Sequence, residues 1–113
     1  MSRDVTLYLD DMIEACHRVA RYAEGLDRNG LVAGTIVCDA ILRNLEILGE
    51  AAKGVPEDAR AFDQEIAWRR IAGLRDVLAH VYFGVDQDII WSVVSAEVPA
   101  LVPRLIALRT RWS

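Results

Sequence analysis

Apolar residues Val5, Leu9, Met12, Cys16, Val19 and Ala23 recur at steps of three and four, the spacing that gathers side chains on one side of an α-helix. Asp4 to Glu24 therefore reads as an amphipathic helix, closed by Gly25. A second stripe of Val37, Ile41, Leu45, Leu48 and Ala52 runs within Leu31 to Lys53 and stops at Gly54, with Pro56 just beyond. Gly54 to Asp63 is a polar connection in which PEDARAF has room for a short helical turn. A third helix is expected from Gln64 to Tyr82, with Ala67, Ile71, Leu74, Leu78 and Val81 inward, until Gly84 interrupts it. Asp86 or Asp88 is placed to cap a fourth, DIIWSVVSAEV. A fifth is expected to begin near Pro99 and to carry Leu101, Leu105, Leu108 and Trp112, with Pro103 bending its entry. Strand alternation is missing, since VYFGVD is too short and too close to a helix to pair. The pattern predicts an all-α antiparallel bundle of four to five helices, one domain over residues 1–113.

Composition agrees: 113 residues, 53% hydrophobic and 27% charged, suit one domain with a real core. No apolar run approaches the ~18 residues of a membrane span, and MSRDVTLYLDD lacks the order of a signal peptide, so a cytoplasmic protein with no membrane partner is expected. Cys16 and Cys38 fall on apolar stripes as small buried hydrophobes, and no spacing suggests a metal or another cofactor. The net charge of −4 argues against binding nucleic acid by bulk attraction. Its distribution changes that picture. Residues 1–65 hold 7 basic against 13 acidic side chains and residues 66–113 hold 6 against 4, so an anionic partner should meet the second half.

The stretch RDVLAHVY, Arg75 to Tyr82, sets an arginine, a histidine and a tyrosine among core residues. At about 100° per residue Arg75 and Tyr82 return to one flank, while His80 points about 140° away from Arg75 and lies with Asp76 on the outward side. One straight helix cannot close all three around a small substrate; a bend near Gly84 or a second copy of the chain must help. The set suits RNA cleavage without a metal. His80 can shuttle the proton of a ribose 2′-hydroxyl or of the leaving oxygen, and Arg75 can hold a phosphate and the charge that grows on it. Asp76 can orient the imidazole, and Tyr82 can donate a hydrogen bond or stack on a base. The same residues also suit a plain surface, with Asp76 and His80 an exposed pair and Tyr82 half-buried.

Arg75, His80 and Tyr82, spaced as Arg, four residues, His, one residue, Tyr, resemble the signature of HEPN-superfamily proteins of the HepT-like type. The likeness extends to RNLEILGEAA (Arg43 to Ala52), WRRIAGLRDVLAHVYFGVD (Trp68 to Asp86), the following IIW and VPALVPRL, about Asp4 to Leu108 in all. Asp76 departs from it, because asparagine is common there. The resemblance implies a helical homodimer with a composite cleft, a metal-independent ribonuclease toxin of a type II or type VII-like toxin–antitoxin system with Arg75 and His80 catalytic. It also implies a minimal nucleotidyltransferase antitoxin that can adenylylate Tyr82, where AMP would repel and crowd phosphate at the arginine. The other reading is a non-catalytic module that binds, or is modified by, such a nucleotidyltransferase. Asp39, Arg43, Glu46 and Glu50 share one face of the second helix opposite its core stripe, with Asn44 at the apolar edge. They form either a solvated face or an interface in which Arg43 and Asn44 support the cleft. Arg104, Arg109 and Arg111 are candidates for phosphate contacts, although a structural role suits Arg109 and Arg111 better.

Overall fold

The computed structural model describes residues 4–81 and 87–112, without the side chains of residues 79–81. Asp4 caps helix α1 (Val5–Tyr22) by accepting the Thr6 N–H, and α1 buries Leu9, Met12, Ala15, Cys16 and Val19. Gly25 then takes a left-handed φ of +81°, which turns the chain. A short 3₁₀ turn, Arg28–Gly30, precedes α2 (Ile36–Gly54), which starts five residues later than the apolar pattern suggests. The cause is Thr35, whose hydroxyl accepts the Cys38 N–H and caps the helix there. Val37 consequently falls in the exposed first turn and leaves the core to Cys38, Ile41, Leu45 and Leu48. Both cysteines are buried free thiols, and burial pushes Cys16 up to about 12, so it acts as a hydrophobe.

The connection contains the short helix α3 (Glu57–Arg60) in the PEDARAF stretch. Arg60 donates to the carbonyls of Val55, Ala52 and Lys53 and so satisfies the C-terminal end of α2. The expected helix from Gln64 to Tyr82 is instead a loop and two helices, α4 (Trp68–Ala72) and α5 (Leu74–Val81), divided at Gly73. Two local features override the periodicity. Glu65 N–H bonds the Asp63 side chain and the Trp68 indole donates to Asp63 O, so Ile66 and Trp68 enter the core from a turn and Ala67 stays exposed. Gly49 on α2 brings the two backbones together: a Cβ there would lie 2.9 Å from the Ile71 carbonyl oxygen. Tyr82, Gly84 and Asp86 lie outside the described residues.

The fourth and fifth helices are continuous. α6 (Gln87–Ser92) passes through a π-helical segment, Val93–Glu97, into α7 (Val98–Arg109), where Val98 N–H bonds Val93 O. Pro99 has no N–H to give Ser95, and the wider turn before it absorbs the mismatch that the sequence alone suggested would end a helix. Asp88 sits inside the first turn rather than at its cap. Joined in this way, Gln87–Trp112 is long and apolar enough to cross a membrane by length and composition, contrary to the reading of its parts. One side of it is committed to the core, however: Ile90, Val93, Val94, Val98, Leu101, Leu105 and Leu108 are buried, with α1 as the main neighbour of α7, while Ile89 and Ile106 are exposed. Burying a Leu or Ile contributes roughly 1.5–3 kcal/mol relative to exposure. The described residues are helical without strands, an all-α bundle.

Candidate active site

α5 carries the residues singled out by their chemistry. Arg75 is exposed in its first turn, and its Nη1 stands 3.9 Å from Glu50 Oε1 on α2, both side chains being more than half exposed. That contact fixes which flank of α5 looks toward the charged stripe of α2. Asp76 is also exposed, with its backbone N–H on Gly73 O. The His80 backbone belongs to α5 one turn beyond Asp76, while its side chain and all of Tyr82 lie outside the described residues. Five residues of helix separate Arg75 from His80 by about 7.5 Å along the axis.

The α2 stripe is brought to the same side. Arg43 Nη1 lies 3.6 Å from Glu46 Oε2, and Lys53 Nζ lies 3.2 Å from the Glu50 Oε1 that Arg75 also faces. Glu46, Glu50 and Arg43 line a groove with Tyr8, Asp11 and Ile47, so the stripe is bordered by α1 on one side and α5 on the other. Asp39 is exposed a turn earlier on α2. Asn44 is not brought to this face. It is 6% exposed, its Nδ2 donates to Ala40 O, and its Oδ1 has no partner among the described residues. On the helix it shares a direction with Ala51, seven positions on.

Tyr8 and Asp11 are the α1 residues of the groove, and the sequence did not single them out. Their signal was faint: three apart on α1, they sit beside the apolar stripe and are readable only once α2 is in place. The Tyr8 ring occupies the space above Gly54, where a Cβ would lie 2.1 Å from a ring carbon, so that glycine is a seat for an aromatic and more than a helix stop. Arg104 and Arg109 are engaged elsewhere: Arg104 holds both Asp63 oxygens at 3.0 Å, and Arg109 Nε donates to Asp10 at 2.8 Å. Arg111 lies over the Phe62 ring at 3.8 Å. An apolar cleft of about 210 Å³ between α4 and α7 lies apart from Arg75 and is lined by Ile66, Ile71, Val98 and Leu101. Its rim cations are tied up in Arg70–Glu97 and Arg104–Asp63 pairs. Among the described residues, no three His, Cys, Asp or Glu side chains gather as metal ligands.

The all-α bundle, with Arg75 beside the charged face of α2, agrees with the fold that the resemblance to HepT-like proteins implies. The ribonuclease HepT-like family matches residues 12–108, and the chain belongs to that family. It is 35% identical over 109 residues to "Probable ribonuclease HepT" of Thermococcus cleftensis, covering 96% of this chain and 99% of that one. It is 33% identical to "Putative RNase MJ1380" of Methanocaldococcus jannaschii over 99 residues, 88% of this chain and 91% of the other. The third, "Putative RNase TTE0752" of Caldanaerobacter subterraneus subsp. tengcongensis, is 36% identical over 94 residues, 83% of this chain and 84% of its own length. No solved structure matches the chain.

Proposed function

We propose that the protein is a metal-independent endoribonuclease acting in a cleft shared by two copies of the chain. The observation that carries this reading is the exposed Arg75 on α5, facing solvent at the edge of the α1–α2 groove, in a member of the HepT-like ribonuclease family. Arg75 receives the scissile phosphate and stabilises the charge that develops on its oxygens. The ribose 2′-oxygen attacks phosphorus, the bond from phosphorus to the 5′-oxygen breaks, and His80 takes the proton from the 2′-hydroxyl or supplies one to the leaving oxygen. Asp76, one turn before His80, orients the imidazole. The helix directs Arg75 and His80 about 140° apart, which is why the reading includes a homodimer.

In this proposal the enzyme is the toxin of a type II or type VII-like pair in the cytoplasm, and its antitoxin is a small nucleotidyltransferase. Adenylylation of Tyr82 places a negative phosphate on the flank of Arg75 and silences it. The test is incubation of purified protein with tRNA and mRNA in excess chelator beside His80→Ala and Arg75→Ala. Wild type should cleave, and each variant should lose on the order of 10²-fold or more. Identical background cleavage by all three would reject the enzyme.

A further inference from the structure

Arg75 is paired across two helices with a carboxylate that another cation shares. Glu50 Oε1 lies 3.2 Å from Lys53 Nζ on its own helix and 3.9 Å from Arg75 Nη1 on α5. One turn earlier, Glu46 faces Arg43 at 3.6 Å. Each of the three cations on this face thus already has a carboxylate, and an arriving anion must compete for it. The competition at Arg75 is light. Its contact is beyond hydrogen-bond range and its side chain is 68% exposed, so the pair is weak and screened by salt. When Arg75 leaves, Lys53 keeps the Glu50 charge compensated, so the exchange strands no carboxylate.

We propose that Glu50 is a specificity-determining gate on Arg75: at rest it holds the guanidinium, and it yields it to a polyanionic strand rather than to a lone small anion. An adjacent phosphate of such a strand can engage Arg43 at its loose contact with Glu46 while Lys53 stays on Glu50, whereas a single phosphate meets Glu50 with no second contact to offset the repulsion. The gate rests on the reading of Arg75 as the phosphate-binding group. Glu50→Gln keeps the size and hydrogen-bonding capacity of an exposed side chain and removes only its charge.

The test measures binding of a 2′-deoxy oligonucleotide, which cannot be cleaved, and of inorganic phosphate. The proteins are wild type, Glu50→Gln, Arg75→Ala, the double variant, and Glu57→Gln as a control, an exposed carboxylate on α3. Glu50→Gln should tighten binding of phosphate by roughly two- to fivefold at low salt and of the oligonucleotide by less. The gain should vanish in the Arg75→Ala background, shrink at high salt, and exceed that of Glu57→Gln. An equal gain with and without Arg75, or none, overturns the gate. A second arm needs no RNA: the Arg75 side-chain ¹⁵N resonance, assigned by its loss in Arg75→Ala, is followed through acid titration of the carboxylates. It should shift in wild type and much less in Glu50→Gln, and an equal shift in both denies the resting pair. If the resting pair is present but wild type binds no oligonucleotide, the ribonuclease reading fails and takes the gate with it.

Discussion

Arg18, Arg28, Arg70, Arg104 and Arg109 each hold a carboxylate by a hydrogen bond, whereas Arg75 stands 3.9 Å from Glu50. An arginine held by two good bonds, as Arg104 is by Asp63, gives up geometry to bind anything else; Arg75 gives up almost nothing. In the sequence, Tyr82 follows Arg75 by seven positions, a spacing that an ideal helix returns to within about 20°. That spacing is the ground on which the proposed scheme sets a modification of Tyr82 against Arg75. Co-expression with a small nucleotidyltransferase, the proposed antitoxin, should add AMP-sized mass to the intact protein, and Tyr82→Phe should carry none. Unmodified wild type after co-expression would remove adenylylation from the scheme.

Among the elements, α2 does most to place the site, because Gly49 lets the α4–α5 corner approach and its polar stripe faces Arg75. Gly49→Ala would put a methyl 2.9 Å from the Ile71 carbonyl oxygen, which is backbone and cannot swing away. The corner must shift, at a cost of about 1–3 kcal/mol. Thermal denaturation should show that loss, and cleavage should fall further than the lost folded fraction explains, since Arg75 moves with the corner. A melting temperature equal to wild type would show the contact to be dispensable. α1 and the body of α2 were legible in the sequence because their stripes are long, uninterrupted and amphipathic. The α4–α5 break was not, since Gly73 in a helical pattern is often tolerated and the Trp68 anchor depends on Asp63, a loop residue. Pro99 misled in the opposite direction: a helix-starting residue sits after a π turn within one continuous helix. For the site, spacing correctly kept Arg75 off the core stripe and grouped Arg43, Glu46 and Glu50, but the pairing of Glu50 with Arg75 is a tertiary contact that no periodicity encodes. Asn44, at the apolar edge in the sequence, is buried, with its Nδ2 turned back to Ala40 O of its own helix.

At the scale of the whole molecule, α1, α2 and the long helix from Gln87 enclose the core, while α5 lies against α2 with Arg75 in solvent. A single chain thus carries an open groove, and the proposed pair, Arg75 and His80, stands five positions apart on one short helix, a spacing that an ideal helix turns about 140°. Two copies related by a two-fold axis can face Arg75 of one toward His80 of the other, giving two equivalent composite sites. This arrangement makes a complementation test decisive. Arg75→Ala and His80→Ala, each inactive alone, are mixed and allowed to exchange subunits. Statistical exchange makes about half of the dimers mixed, and each mixed dimer has one site with an intact arginine and an intact histidine from different chains and one site with neither. Cleavage should therefore return to about a quarter of wild type, and should rise with the time allowed for exchange. If Arg75 and His80 act within one chain, no mixed dimer contains a complete site and the mixture stays inactive, which would confine catalysis to the protomer and leave the second copy without a chemical role.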